Sequence, residues 1–196
     1  MVNDMLIISN DCTAADIYVN NKTEYNHPFM WCIILYEDMK NLILNWETLN
    51  FSNYKIEKSK LKENTYIVNI DNKVKVHYVH YIEDSKYTKP TKTKDKFGYE
   101  KNISYNKIID YIEEKYTKRY LKLKATDEKP TFIIHYFESN NCDYKENNIQ
   151  ELINLNKNYK LYIYGNFKKL KTNTNNILIQ KFIKYPSEVA KLHNFI

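Results

Sequence analysis

Apolar and polar positions fall into blocks along the chain, and these blocks predict the elements of an α/β fold. An apolar run at 5–9 ends in a polar turn, which predicts a buried strand with a helix starting at Thr13. Apolar residues at three- and four-residue spacing predict an amphipathic helix over 37–49, and Ser104 is a predicted cap of another helix that runs to about Lys122. The remaining segments predict strands at 131–137, 160–164 and 177–183, a helix at 149–155, and a short terminal helix capped by Pro186 and Ser187.

The segment 66–80 carries the best hairpin signal in the chain. Residues 66–70 and 74–80 are two strand-like runs, and the polar residues 71–73 predict the turn between them. Alternation in the second strand predicts one face with Val74, Val76, Tyr78 and His80, and another with Lys75, His77 and Val79.

The order of the predicted elements indicates the fold class. Strand, helix and strand in the second half imply parallel pairing through a right-handed crossover. We therefore expect one α/β domain over residues 1–196, built as a three-layer, Rossmann-like, mostly parallel sheet that carries an antiparallel hairpin. Residues 83–102 are rich in Lys, Thr and Asp and show no sustained period, which predicts a surface loop.

The amino-acid composition limits which kinds of ligand and partner we expect the protein to bind. Thirty Lys and Arg against 24 Asp and Glu give a net charge of +6, but Arg119 is the only arginine. Specific readers of bases rely on the guanidinium fork, whereas abundant Lys, Asn, Ile and Tyr are typical of an AT-rich genome, so we expect no specific nucleic-acid partner. The chain has only two glycines, too few for the Gly-rich loops of the dinucleotide-binding and Walker motifs. We therefore expect no cofactor.

Cysteine usage and apolar runs bear on metals and location. The three cysteines, Cys12, Cys32 and Cys142, lack zinc-finger spacing and do not indicate a disulfide framework. The sequence contains no D-x-D pair, so we expect no metal and disfavour metal-dependent glycosyl transfer. Neither a signal peptide nor an apolar run of about 20 residues is evident, which predicts a cytoplasmic protein without membrane insertion.

Cys12 and two histidines are the candidate catalytic residues. Cys12 follows the first strand and precedes a helix, where a thiol is a better nucleophile; alternatively it fills the corner as a small buried residue. His80, preferred over His77 because it is nearer the strand end, is one candidate base. His135 is another, since its strand should end on the same rim as Cys12. Each histidine could equally be a hydrogen-bonded structural residue.

Three further residues are candidates for binding substrate. Asn10 and Asp11 could supply an oxyanion donor or a substrate hydrogen bond, although both types also favour turns for local reasons. Arg119 could contact a phosphate or carboxylate in bidentate fashion, or it could complement a helix C-terminus. The lysines of 86–101 could cover an anionic donor such as a nucleotide sugar, or simply be solvated.

The opening of the chain resembles a family of bacterial and viral exopolysaccharide-biosynthesis proteins. The likeness lies in the run Ile8 to Cys12, then Tyr18, the element Tyr25-Asn26-His27-Pro28-Phe29, and the helix from Glu37. That family opens similarly, with a strand, an "ISN-x-C" turn, a Tyr and a "Y-N-x-P-F" element. The similarity continues more weakly through 76–81 and Lys118-Arg119, and it adds Tyr25 and His27 as candidate substrate-binding residues.

A looser resemblance connects the same turn to capsule-biosynthesis proteins and to proteins grouped with papain-like cysteine peptidases. Those have a "P-F-D-W" element, whereas residues 28–31 here lack the aspartate that would orient a histidine. The resemblance implies a metal-independent glycosyl- or acyltransferase that acts on an activated sugar or a glycan acyl group. Cys12 would be its nucleophile or polar anchor, and His80 or His135 its base. The alternative is a non-enzymatic module whose tyrosines bind carbohydrate or protein.

Overall fold

A computed structural model describes residues 6–22, 27–59, 65–78, 105–125, 128–136, 144–172, 174–180 and 188. The strands in these ranges are β1 (Ile7–Ser9), β2 (Cys32–Ile34), β3 (Tyr54–Lys58), β4 (Tyr66–Ile70), β5 (Val74–Tyr78), β6 (Thr131–His135), β7 (Lys160–Tyr164) and β8 (Ile177–Gln180). The helices are α1 (Thr13–Asn20), α2 (Tyr36–Asn45), α3 (Tyr105–Lys124) and α4 (Glu146–Leu155), and a 3-10 turn (Trp46–Thr48) follows α2.

The described strands form two sheets of four. One sheet is parallel throughout, in the order β1-β6-β7-β8, and the other is antiparallel, in the order β2-β5-β4-β3. The predicted α/β class and the parallel β6-α4-β7 unit are confirmed. The predicted hairpin is also present, but it belongs to the separate antiparallel sheet, which the chain builds between β1 and β6.

The β4-β5 hairpin and strand β3 show why one element was predicted and the other was not. Asp71 and Asn72 both have φ of 53°, a left-handed conformation that Asp and Asn tolerate better than other side chains. Strand β3 received no prediction because it is an edge strand with largely exposed charged residues. The predicted loop at 83–102, the cap Ser104 and the terminal helix at 186–187 lie outside the described residues.

Two hydrophobic clusters cover the two faces of the parallel sheet. On one face Ile8 and Ile134 join a core that also contains residues of α2, α3, α4 and the antiparallel sheet. On the other face Ile7 and Ile133 pack with α1 in a smaller cluster. Because side chains alternate along a strand, His135 shares the α1 face with Ile133. This alternation brings His135 to the start of α1.

Candidate functional site

Strand register brings Asp11 and His135 to the same place. In the parallel β1-β6 pair, Ser9 is opposite Ile133. Continuing this register by two residues sets Asp11 opposite His135, beyond the carboxyl end of β1 and at the end of β6. The carboxyl edge of a parallel sheet is where α/β proteins place their ligands and reactive groups. The predicted convergence of His135 with the residues around Cys12 follows from this pairing.

Asn10 holds this edge together through its backbone and its side chain. Its backbone N–H donates to Ile133 O at 3.2 Å, and its carbonyl accepts from Ile34 N–H at 3.1 Å, which joins the two sheets. Its side-chain Nδ2 donates to His135 O at 3.1 Å, while Oδ1 accepts from the His135 N–H at 2.8 Å. The amide thus extends the β1-β6 ladder by imitating a peptide group.

The burial of Asn10 changes its predicted role. Asn10 has no exposed surface, and its side chain is committed to the His135 backbone. A solute cannot reach this side chain in this conformation. The structure therefore places Asn10 as a positioning residue for His135, in place of the predicted oxyanion donor or substrate contact.

The Asp11 carboxylate bridges the His135 ring and the start of α1. Its Oδ2 lies 2.8 Å from His135 Nδ1, and its Oδ1 accepts from the Thr13 N–H at 2.9 Å. A carboxylate accepts hydrogen bonds and donates none, so Nδ1 carries the proton in this contact. This contact with the His135 ring differs from the predicted substrate contact of Asp11.

Cys12 lies in the turn between β1 and α1. It is the N-cap residue of α1 and is partly exposed. The Ser9 side chain fixes this turn because its Oγ donates to Asp11 O at 2.6 Å and accepts from the Ala14 N–H at 2.8 Å. Cys12 therefore combines access to solvent with a place beside the Asp11–His135 pair.

Cys32 is a second thiol in this neighbourhood, with the opposite environment. It is fully buried in β2, and burial raises its pKa well above the usual value. The charges of Cys12 and Asp11 raise the pKa further, while that of Arg119 lowers it. Because a thiol must ionise to react, Cys32 is an inert internal reference for Cys12.

Trp31 adds a residue that the sequence did not single out as functional. Its φ is 57°, a left-handed conformation that costs a bulky side chain about 1–2 kcal/mol. The ring packs against the small cluster that contains Ala14 and Tyr164. Strained backbone of this kind concentrates at functional sites. The sequence carries no signal for it, because Gly or Asn, the usual left-handed residues, are missing at this position.

His27 is buried rather than available to a substrate. Its side chain has no exposed surface, and its Nδ1 accepts from the Phe29 N–H at 3.2 Å. Burial, and then the positive charge of Arg119, lower the pKa of His27 to about 3. This burial contradicts the predicted substrate contact of His27 and gives the residue a structural place.

Arg119, His77, Tyr25 and His80 are the remaining residues that the sequence singled out. Arg119 is half-buried in α3, and its charge acts on the buried His27, Cys32 and Tyr78. His77 is only 6% exposed on β5, and burial followed by the Lys75 charge lowers its pKa. Tyr25 and His80 lie outside the described residues.

Comparison with known proteins gives no assignment. No protein-family model matches this chain, and no curated protein sequence matches it. The resemblance to exopolysaccharide-biosynthesis proteins therefore stays a prediction from the N-terminal motifs. Within the described ranges, no three His, Cys, Asp or Glu side chains form a group that could hold a metal ion. No helix among those residues is long and apolar enough to cross a membrane.

Proposed function

We propose that this protein is a cysteine-dependent, metal-independent transferase of surface-glycan assembly. In this proposal Cys12 is the nucleophile, His135 the base, and Asp11 the group that orients His135. The observation that carries it is the 2.8 Å contact between Asp11 Oδ2 and His135 Nδ1, with Asp11 the residue that precedes Cys12 in the chain. A nucleophile next to a base that a third group orients is the arrangement that covalent transfer requires.

Local structure supports the role of each residue. The N-cap position exposes Cys12 to the partial positive charge of a helix N-terminus, which favours a thiolate over a thiol. Asp11 keeps the proton on Nδ1, so Nε2 is the atom that accepts the thiol proton. His135 is only 1% exposed, which shields its ring from water and leaves the partly exposed Cys12 to meet the substrate.

The chemistry is a two-step transfer. Sγ of Cys12 attacks the acyl carbon of the donor, its proton passes to His135 Nε2, and that proton leaves with the departing group. The thioester is then attacked by an acceptor hydroxyl, whose proton passes to Nε2 and then to the released Cys12 thiolate, which restores the thiol. An activated sugar would follow the same sequence through a thioglycoside.

The substrate class rests on the motif resemblance and not on the geometry. We propose an activated sugar or a glycan acyl donor as the substrate and a cytoplasmic location for the protein. We also propose that the parallel sheet forms a Rossmann-like, three-layer arrangement, because α1 packs on one face and α4 belongs to the core on the other.

Alkylation with iodoacetamide between pH 5.5 and 9 tests the nucleophile. We expect Cys12 to be modified at least ~10-fold faster than Cys32, and to stay reactive below the free-thiol pKa of about 8.5. Mass spectrometry of the folded protein measures both sites in one sample. Incubation with p-nitrophenyl acetate should then give a burst of one p-nitrophenolate per chain and an acetyl group on Cys12.

Asp11→Asn tests the orienting carboxylate. The amide still offers an oxygen to the Thr13 N–H, but its NH₂ group faces Nδ1 and so favours the proton on Nε2, which removes the base. We expect the Cys12 alkylation rate at pH 7 to fall at least ~10-fold. Asp16→Asn, in the first turn of the same helix, is the matched control and should change the rate less than ~2-fold. Equal rates in both variants would rule out a role for Asp11 in activation.

The second candidate is a non-enzymatic module that binds carbohydrate or protein. The near-complete burial of His135 favours it, since buried histidines often serve to join structural elements. This candidate predicts that Cys12 is alkylated like an ordinary partly exposed thiol, with a rate that falls as the pH drops below about 8.5, and that p-nitrophenyl acetate gives no burst.

A further inference from the structure

A groove of about 240 Å³ lies between the segment after α2 and the C-terminal end of α3. Its floor is formed by the buried Leu49 and Leu123. Its walls are three half-exposed aromatic side chains, and its rim is polar. The groove is lined by Trp46, Leu49, Asn50, Phe51, Ser52, Tyr120, Leu123, Lys124 and Glu128.

Two of the aromatic walls, Trp46 and Phe51, pack against each other at an angle. The Trp46 and Phe51 rings lie 5.3 Å apart at 63°, and Trp46 also packs edge-on against Phe132. The Tyr116 hydroxyl donates to Phe51 O at 2.9 Å, which ties the wall segment to α3. Angled rings cannot enclose a flat aromatic ligand between two faces, but each can contact the apolar C–H face of a sugar ring.

The rim supplies polar groups of mixed character. Asn50 Oδ1 accepts from the Ser52 N–H at 3.2 Å and from its hydroxyl at 2.7 Å, and both residues line the groove, so the Asn50 NH₂ group and the Ser52 oxygen retain capacity for further hydrogen bonds. Lys124 and Glu128 carry opposite charges, so their net charge does not favour an anion over a neutral molecule. Adjacent donors and acceptors of this kind match the hydroxyl groups of a sugar.

We propose that this groove binds a single hexopyranose ring, either free or at the end of a glycan. Its volume is below the ~300–1,000 Å³ typical of drug-sized ligands, which limits the occupant to about one ring. The apolar face of the sugar contacts Trp46 and Tyr120, and its hydroxyls contact the rim.

The groove is separate from the candidate catalytic site. Glu128 precedes β6, and Trp46 packs near the start of that strand, whereas His135 ends it. The five residues of β6 set the two places about 13 Å apart along the sheet. Sugar binding in the groove does not depend on the chemistry of Cys12, so it goes beyond the proposed function.

Tryptophan fluorescence can report on the groove directly. The chain has two tryptophans, Trp31 and Trp46, so Trp31→Phe leaves Trp46 as the single reporter. This variant is titrated with D-glucose, D-galactose and N-acetyl-D-glucosamine up to 100 mM, and calorimetry with the unaltered protein repeats the measurement without a substitution. We expect saturable binding of at least one sugar in the millimolar range.

Matched substitutions on α3 assign the binding to the groove. Tyr120→Ala should weaken it at least ~10-fold, while Leu121→Ala, on the adjacent exposed residue, should change it less than ~2-fold. Cys12→Ala should leave it unchanged, which separates this test from that of the transferase. The proposal is overturned if no sugar saturates the signal or the calorimeter, if indole or adenosine binds more tightly than every sugar, or if Tyr120→Ala has no effect.

Discussion

Asn10→Ala is expected to lower the free energy of unfolding by about 3 kcal/mol or more. The substitution removes both side-chain hydrogen bonds to His135 and leaves its backbone N–H and C=O buried without these partners. Each unpaired buried group costs about 1–3 kcal/mol, and the lost volume adds to the total. Urea denaturation followed by circular dichroism measures the loss.

Two companion variants show whether the amide itself matters. Asn10→Asp keeps the shape but turns a carboxylate oxygen toward the His135 carbonyl, so it should be at least as destabilising as alanine. Asn45→Ala removes a hydrogen bond to the Asn41 carbonyl at the end of α2 and should cost about 0.5 kcal/mol. A loss below about 1 kcal/mol in Asn10→Ala would mean that water or a backbone shift pairs the His135 groups.

Local sequence patterns predicted most elements because each depends on near neighbours. Spacing alone located α2, and polar residues at 71–73 located the hairpin turn. The division into two sheets could not be predicted, because pairing between β1 and β6 joins residues more than 120 positions apart. Strand β3 was missed because an exposed edge strand carries little apolar alternation.

The candidate site was predicted in location but not in the roles of its residues. The rule that functional groups gather at the carboxyl ends of parallel strands predicted that His135 lies near the turn after β1, and its contact with Asp11 agrees with this. It could not distinguish Asp11, which orients the His135 ring, from Asn10, which binds the His135 backbone. That distinction depends on which side chain points into the core, and strand-end turns do not reveal it.

The sequence did not reveal the burial of His27 either, and this burial has a measurable consequence. The resemblance made His27 a candidate substrate-binding residue, yet its ring is enclosed, with Tyr18 edge-on at 5.6 Å and Phe29 at 6.0 Å. Its Nδ1 must stay unprotonated to accept the Phe29 N–H. Protonation would therefore break this hydrogen bond and bury a positive charge.

The pKa of His27 predicts a loss of stability in acid. In the unfolded chain the pKa is about 6.5, and in the folded protein it is lowered to about 3. Between these values the unfolded state binds the extra proton, so the free energy of unfolding falls as the pH decreases from about 6.5 toward 3. Each pH unit in the middle of this window costs about 1.4 kcal/mol, which amounts to about 3 kcal/mol between pH 7 and pH 4.

His27→Asn should remove this dependence. The asparagine Oδ1 can take the place of Nδ1 as acceptor for the Phe29 N–H, and it does not titrate. Unfolding in urea at pH 4, 5, 6 and 7 should show the variant losing about 3 kcal/mol less than the unaltered protein over that range. His77→Asn is the control, since that ring is less enclosed, at 6% exposed against none for His27, and its pH profile should stay closer to the original. If the free energy of unfolding of His27→Asn and of the unaltered protein depended on pH in the same way, folding would not lower the pKa of His27. The prediction that His27 is buried in its neutral form would then be wrong.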